Sequence, residues 1–202
     1  MFKHAVLDID TQDIVDKVFK LRPYWIQRLD YPFYTLGRCA YLDGKTQAYK
    51  DEVKELNPIL LKEFSDLYTA VGGYLVSLLG ETIYLDDTLA FPSFHIAKSD
   101  PAFLEAGGKW HIDIPHETLG LGNIDPLTFT VAILLPTGGA GLDYIDESGE
   151  QHYLEYKEKQ IVSHDGKVPH RIAPLKEYVE DEYRITFQGH LIRVGGILKM
   201  FW

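Results

Sequence analysis

The stretch KWHIDI, residues 109–114, alternates polar and apolar side chains in the way that is typical of a β-strand. Successive side chains of a strand point to opposite faces, so His111 and Asp113 share one face. The other face carries three apolar side chains, Trp110, Ile112 and Ile114. A histidine and an aspartate side by side either meet solvent or hold something, and the rest of the chain decides between these two.

Composition sets the broad class of the protein. The chain has 202 residues, of which 46% are hydrophobic and 25% charged, as in ordinary globular proteins. This length predicts a single domain over residues 1–202 with a sizeable core. The formal net charge of −10 argues against nucleic acid and anionic membranes as main partners.

The cellular compartment is predicted from the cysteine content and the N-terminus. The sequence contains one cysteine, Cys39, which cannot form an intrachain disulfide. The first ten residues include acids and no long apolar run, so they do not resemble a secretory signal. We therefore expect a cytoplasmic protein.

Residues 1–80 are predicted to form a helical N-terminal part. Asp10 or Thr11 can cap a first helix that ends near Leu21, before Pro23. A second, longer helix is expected from Pro58 to Leu79, because apolar residues recur there at helical spacing. The glycine pair at 72–73 is expected to bend it.

Residues 81–202 are predicted to form the β-rich core. About eight short strands are expected, at 93–98, 109–114, 127–135, 141–145, 152–156, 159–163, 170–174 and 183–190. Short strands that follow two helices indicate an α+β fold, a β-sandwich or jelly roll with helices packed on one sheet. Trp110, Ile112 and Ile114 would then lie under the helices, and His111 and Asp113 would face the interior.

A third polar group is needed near His111 and Asp113, because an ionised carboxylate inside a barrel is costly unless it is paired or bound to a metal. The predicted strand at 170–174 offers His170, with Ile172 on the same face. Two histidines and one carboxylate bind one face of an octahedral metal and leave three positions open. This donor set suits Fe(II).

The last predicted strand carries a second polar row. Arg184, Thr186, Gln188 and His190 share one face, opposite the apolar side chains of Ile185 and Phe187. The guanidinium of Arg184 could grip a carboxylate through two parallel hydrogen bonds, and Thr186 could add a third. For His95, the sequence leaves open whether its side chain faces the interior.

The pattern H-x-D, a distant H and then R-x-T fourteen residues later resembles the Fe(II)/2-oxoglutarate-dependent dioxygenase superfamily, over Ser93 to His190. The resemblance implies a double-stranded β-helix, which is a jelly-roll, cupin-like core. It implies that His111, Asp113 and His170 bind Fe(II). It also implies that Arg184 and Thr186 bind the co-substrate 2-oxoglutarate.

The implied activity is that of an oxidoreductase. Such an enzyme uses O2 and 2-oxoglutarate to oxidise, and most often hydroxylate, a substrate, with release of succinate and CO2. We expect a small-molecule substrate, such as an amino acid or a natural-product intermediate, because the short chain leaves little room for a docking domain. The sequence does not indicate an oligomeric state.

Two alternatives remain open at this point. A cupin-like metal enzyme that does not use 2-oxoglutarate would not need Arg184 and Thr186. A non-catalytic jelly-roll module would use the same polar groups to bind a ligand or a structural metal. The position of the ligands and the arginine at same-parity positions of three predicted strands favours the oxygenase.

Overall fold

A computed structural model describes residues 2–29, 32–105, 107–121, 125–139 and 141–202 of the protein. Six α-helices lie in this part of the chain: α1 (Thr11–Lys20), α2 (Ala40–Asp43), α3 (Gln47–Glu63), α4 (Ser65–Leu79), α5 (Ala102–Glu105) and α6 (Pro115–Thr118). A short 3₁₀ turn covers Arg22–Tyr24. Among the described helices, none combines the length and the apolar character needed to cross a membrane.

Twelve strands lie in the same described ranges. They are β1 (Lys3–Val6), β2 (Trp25–Gln27), β3 (Phe33–Leu36), β4 (Ile83–Leu85), β5 (Ser93–Lys98), β6 (Leu127–Leu134), β7 (Leu142–Ile145), β8 (Gln151–Leu154), β9 (Gln160–Asp165), β10 (His170–Ile172), β11 (Tyr183–Val194) and β12 (Ile197–Phe201).

The strands form two sheets. The major sheet has the order β1-β9-β6-β11-β5-β3-β2, and β12 joins it by pairing with β11 and, in parallel, with β4. The minor sheet has the order β10-β7-β8 and is antiparallel. From β6 to β11 the chain passes from the major sheet to the β7–β8 hairpin of the minor sheet, back to β9, on to β10 of the minor sheet and back to β11. The fold is therefore a double-stranded β-helix with N-terminal helices on one sheet, as predicted.

The first predicted helix is confirmed in α1. The carboxylate of Asp10 accepts hydrogen bonds from the backbone N–H groups of Gln12 and Asp13, both at 3.1 Å, and so caps the helix. The apolar stripe of α1 packs with Ile14 and Val18 buried in the main core. This stripe is what holds the N-terminal segment on the major sheet.

The prediction of the second helix is wrong in where the helix begins and in where it is interrupted. Helix α3 already begins at Gln47, where the Thr46 hydroxyl accepts from Tyr49 N–H at 3.1 Å. The helix then ends at Phe64, between α3 and α4. The ring of Phe64 is buried, with its centre 4.7 Å from that of Phe94 in the sheet. The glycines at 72–73 lie inside α4 with open space around them, so nothing there requires a bend.

The main core lies between the helices and one face of the major sheet. On β11 this face carries Ile185, Phe187 and Leu191, which are buried together with Val71 and Leu75 of α4. The opposite face of β11 carries the polar row that was predicted from the sequence, and it faces the interior between the two sheets. One face of the same strand thus stabilises the fold, and the other is available for chemistry.

The segment KWHIDI is not a regular strand, contrary to the prediction. It makes a single bridge, in which His111 and His170 exchange backbone hydrogen bonds of 3.0 and 2.9 Å. Trp110 and Ile112 are 38% and 41% exposed instead of lying under the helices. The reason is position, because the segment borders the minor sheet, whereas α1 and α4 cover the major one.

The other predicted strands are present as β5 to β11, with ends shifted by a few residues. Strands β1, β2, β3, β4 and β12 were not predicted, and the first three lie before residue 80 and belong to the major sheet. The residues before 80 therefore contribute to the barrel as well as to the helical layer. The single-domain organisation stays a prediction.

Candidate active site

Three predicted ligand residues come together at one end of the barrel. His111 and Asp113 lie on the bridging segment, and His170 is the first residue of β10. One potential ligand atom from each of the three lies within 4.8 Å of the others. The mutual backbone hydrogen bonds of His111 and His170 hold together two parts of the chain that are far apart in sequence.

Both histidines are oriented by their own local backbone. Nδ1 of His111 lies 2.9 Å from the Lys109 carbonyl oxygen, and Nδ1 of His170 lies 2.8 Å from that of Val168. A carbonyl oxygen only accepts, so Nδ1 must carry the proton in each ring. In the neutral ring with its proton on Nδ1, the lone pair lies on Nε2, and this is the form in which imidazole binds a metal.

The two Nε2 atoms face the carboxylate of Asp113. His111 Nε2 lies 3.8 Å from Oδ1, and His170 Nε2 lies 3.4 Å from Oδ2. The side chains of Asp113 and His170 are only 11% and 4% exposed, whereas that of His111 is 50% exposed. The cluster is therefore closed towards the barrel and open to solvent on the side of His111.

The charge states of the cluster favour metal binding. Burial alone raises the pKa of Asp113, but the nearby histidines His190, His170 and His111 and the hydrogen bond from Thr128 bring it below its ordinary value. Burial lowers the pKa of His170. Two imidazoles and one carboxylate, without a thiolate, form a donor set that could hold a divalent metal such as Fe(II).

Asp113 has a hydrogen-bonded support that sequence reasoning missed. Thr128 on β6 donates from Oγ1 to Asp113 Oδ2 at 2.8 Å. The Oγ1 atom of Thr128 also lies 3.0 Å from Nδ1 of His190. Because the threonine proton goes to the carboxylate, the His190 ring donates to the threonine. The alternation of Thr128 and Thr130 with Phe129 and Val131 is the sequence signal that could have placed these hydroxyls in the interior.

Thr128→Val should weaken Fe(II) or Co(II) binding about 10- to 100-fold, as removal of a partner of a metal ligand typically does. The substitution keeps the shape of the side chain and removes only the hydroxyl that orients Asp113. Thr128→Ser should restore most of the affinity. An anaerobic equilibrium titration measures the effect. The matched control is Thr130→Val, which removes the hydroxyl of the next buried threonine on β6. Equal losses in both valine variants would show a general packing effect instead.

Arg184 and Thr186 lie together inside the barrel. Nη1 of Arg184 lies 3.2 Å from Thr186 Oγ1, and both residues are buried. The guanidinium stands 5.7 Å from the ring centre of Tyr156, and Arg184 also lines a cavity with Phe103 and Ile172. A buried, permanently charged guanidinium beside a hydroxyl could hold a carboxylate.

His95 faces the interior, which settles the question that the sequence left open. It pairs with Thr186 across the β5–β11 register, and directly opposite residues point to the same side of a sheet. Its Nε2 shares a 2.8 Å hydrogen bond with the Tyr41 hydroxyl. Burial lowers the pKa of His95 to about 3, and the charge of Arg184 acts in the same direction, so the ring is neutral at pH 7.

A second group of potential ligands lies in the β7–β8 hairpin, formed by Asp146, Glu150 and His152. Asp146 accepts hydrogen bonds from the N–H groups of Ser148 and Glu150 and lies 2.8 Å from His152 Nε2. The Ser148 hydroxyl, which donates to Asp146 at 2.6 Å, and then these other bonds lower the pKa of Asp146 and close the turn. The group is explained by the structure of the hairpin.

Comparison with known proteins was made for sequence and for structure. Neither protein-family models nor curated proteins give a match to the sequence. The non-heme alpha-ketoglutarate-dependent carbocyclase SnoK from nogalamycin biosynthesis is similar in structure, with a TM-score of 0.51, 12% identity and coverage of 95% of this chain and 79% of that one. AviO1 from Streptomyces viridochromogenes Tue57 has a TM-score of 0.51 and 10% identity, over 93% of this chain and 87% of that one.

A prolyl-4-hydroxylase from Pseudomonas putida is also similar in structure, with 14% identity and a TM-score of 0.47; the alignment covers 95% of this chain and 92% of that one. At these identities, structural similarity establishes the fold. The two matches with a TM-score of 0.51 thus confirm the predicted double-stranded β-helix.

Proposed function

We propose that the protein is a non-haem Fe(II)/2-oxoglutarate-dependent oxygenase. The observation that carries the proposal is the pairing of two sites in one barrel. His111, Asp113 and His170 bring their ligand atoms within 4.8 Å of one another, and the buried pair of Arg184 and Thr186 lies in the same interior. A two-histidine, one-carboxylate set is the arrangement of non-haem Fe(II) oxygenases.

In this proposal, Nε2 of His111, Nε2 of His170 and a carboxylate oxygen of Asp113 hold the iron. Arg184 and Thr186 hold the distal carboxylate of 2-oxoglutarate. Bound iron would activate O2, which is the oxidant, and 2-oxoglutarate would supply two electrons as it is converted to succinate and CO2. The chain itself orients the co-substrate and keeps Asp113 ionised.

The substrate in this proposal is a small molecule, such as an amino acid or a natural-product intermediate, and hydroxylation is the preferred reaction. The net charge of −10 supports this choice, since it disfavours nucleic acid. The half-exposed ring of His111 leaves the metal side of the barrel accessible to a dissolved substrate. A cytoplasmic location, with a single reduced Cys39, belongs to the same proposal.

The two alternatives make different use of the interior. A cupin-like enzyme without 2-oxoglutarate would have no need for a buried guanidinium beside a hydroxyl, as in Arg184 and Thr186. A non-catalytic module could use His111, Asp113 and His170 for a structural metal, but it would have no need for the buried pair of Arg184 and Thr186. The presence of the His111, Asp113 and His170 cluster together with the buried pair of Arg184 and Thr186 therefore favours the oxygenase.

The test is anaerobic Fe(II) binding with and without 2-oxoglutarate, followed by visible absorption. We expect the weak charge-transfer band of an iron-bound 2-oxo acid when both are present. Succinate lacks the keto group and should give no band, which makes it the control. If iron binds without a band, the cupin-like alternative takes precedence. If no metal binds, the non-catalytic alternative does.

A further inference from the structure

Two hydrogen bonds in series connect strand β11 to the candidate metal cluster, and they begin at His190. Nδ1 of His190 lies 3.0 Å from Oγ1 of Thr128, and this hydroxyl donates to Oδ2 of Asp113 at 2.8 Å. His190 and Thr128 are directly opposite in the register of β11 and β6, so their side chains point to the same side of the sheet. The three side chains therefore form one hydrogen-bonded array inside the barrel.

The array is shielded from water. His190 and Thr128 are 1% and 0% exposed, and the side chain of Asp113 is 11% exposed. Hydrogen bonds are electrostatically stronger in such surroundings, and bonds that follow one another polarise each other. A change at His190 can therefore act on Asp113 through Thr128, although the ring is not a direct partner of the carboxylate.

The directions of the two hydrogen bonds follow from the number of protons. A hydroxyl has one proton, and an ionised carboxylate only accepts, so Thr128 gives its proton to Asp113 and accepts from the His190 ring. The ring N–H at the threonine oxygen opposes any rotation that would turn the hydroxyl proton towards the ring. His190 thus holds the hydroxyl in the orientation that serves Asp113.

The array uses one oxygen of the carboxylate. Oδ2 of Asp113 accepts from Thr128, whereas Oδ1 lies 3.8 Å from His111 Nε2 and accepts no hydrogen bond within the described ranges. A carboxylate that is held at one oxygen keeps its orientation, and its other oxygen stays available as a metal ligand. Orienting a ligand before the metal arrives lowers the cost of binding.

His164 shows that a place beside Thr128 is not sufficient for this role. His164 lies opposite Thr128 in the register of β9 and β6, as His190 does on the other side of β6. Nδ1 of His164, however, lies 2.9 Å from the carbonyl oxygen of the next residue, Asp165, so its hydrogen bond is local. Of the two buried histidines that flank Thr128, His190 is the one that bonds to the hydroxyl.

We propose that His190 is a positioning residue, which orients Asp113 for metal binding through the hydroxyl of Thr128. This inference rests on the proposed function, because Asp113 is a metal ligand only within that proposal. His190 and Thr128 then act in series, and His190 affects the bound metal only while residue 128 carries a hydroxyl.

The test is a double-mutant cycle on Co(II) binding, followed by the visible absorption of the bound ion. His190→Leu should weaken binding about tenfold, at the lower end of the effect of losing an outer partner of a metal ligand. In the Thr128→Val protein the same substitution should change the dissociation constant by less than about twofold, because residues that act in series are not additive. A further tenfold loss in that protein would show independent roles and overturn the inference.

Two amide variants test the hydrogen bond itself. In His190→Asn the amide nitrogen is two bonds from Cβ, as Nδ1 is, so a donor to Thr128 remains and the dissociation constant should return to within about threefold of wild type. In His190→Gln the amide nitrogen is one bond further away, as Nε2 is, and binding should stay as weak as in His190→Leu. An asparagine variant as weak as the leucine variant would contradict the proposed role.

Phe201→Leu is the matched control for packing, since Phe201 lies opposite His190 on β12 with its ring centre 6.0 Å away. It should leave the Co(II) dissociation constant within about twofold of wild type, and thermal unfolding of the metal-free proteins measures any loss of stability. Equal weakening in Phe201→Leu and His190→Leu would assign His190 to packing and overturn the inference.

The outcomes separate this inference from the proposed function. If the wild-type protein binds Co(II) and His190→Leu binds it equally well, the role of His190 is wrong and the proposed function stands. If the wild-type protein binds neither Co(II) nor Fe(II), the proposed function fails and the inference fails with it.

Discussion

Asp113→Ala is expected to remove measurable Fe(II) binding, with a loss of affinity of more than about a hundredfold. Removing a partner of a metal ligand already costs about 10- to 100-fold, and removal of the ligand itself must cost more. Asp113 is also the only carboxylate of its cluster and the group that both His111 and His170 face, at 3.8 and 3.4 Å. Without it, two imidazoles remain, and neither carries a negative charge to offset that of a divalent ion.

Asp146→Ala is the matched control, because Asp146 also lies beside a histidine in a group of possible ligands. That substitution should leave the affinity and the one-to-one stoichiometry of Fe(II) binding unchanged. Anaerobic titration with thermal unfolding of the metal-free proteins distinguishes ligand loss from misfolding. Loss of binding in Asp146→Ala, with Asp113→Ala intact, would move the metal to the hairpin and contradict the proposed site.

The parts of the site that could be predicted from sequence lie where a strand is buried on both faces. Along β11, Arg184 and Thr186 point inward and Ile185 and Phe187 pack under the helices, as the alternation predicts. A one-residue shift would bury the guanidinium in the apolar core, so the pattern alone determines the face. The predicted proximity of His111, Asp113 and His170 is present in the structure, while their role as ligands stays a prediction.

The same alternation gave a wrong prediction at KWHIDI, because a sequence pattern does not indicate which element of the fold covers a given face. The guanidinium carbon of Arg171 lies over the Trp110 ring at the border of the minor sheet, 4.9 Å from the centre of that ring. An apolar face there meets solvent and a cation instead of helices. The exposure of His111 follows from the same position, so the error in the fold prediction explains the open side of the site.

Other features could not be predicted because they depend on partners that are distant in sequence. The hydroxyl of Thr128 is meaningful only beside Asp113, and Tyr41 only beside His95, which is 54 residues away. The end of α3 at Phe64 depends on the ring of Phe94 in the sheet. Local periodicity therefore identified α1 and the strands β5 to β11, whereas the tertiary arrangement determined where elements end and which polar groups meet.

Arg184→Leu is expected to abolish specific 2-oxoglutarate binding and to leave Fe(II) binding intact. Each hydrogen bond to a charged group contributes about 1.5–3 kcal/mol, so loss of a two-point contact predicts a hundredfold or larger increase in the dissociation constant. Arg184→Lys should recover only part of this, because an ammonium group cannot reproduce the planar pair of donors. The charge-transfer band of the iron complex, titrated with 2-oxoglutarate, measures the effect.

Arg193→Leu provides the control for Arg184→Leu on the same strand. Arg193 lies near the far end of β11, where it is exposed and pairs with Glu81 at 2.6 Å. Exposed pairs contribute little, so both binding constants should stay at the wild-type values. Because Arg184 and the metal cluster use separate side chains, an Arg184→Leu protein that retains 2-oxoglutarate binding would contradict the co-substrate site alone. Retained Fe(II) binding in that protein would then favour the cupin-like alternative, in which the metal works without a carboxylate clamp.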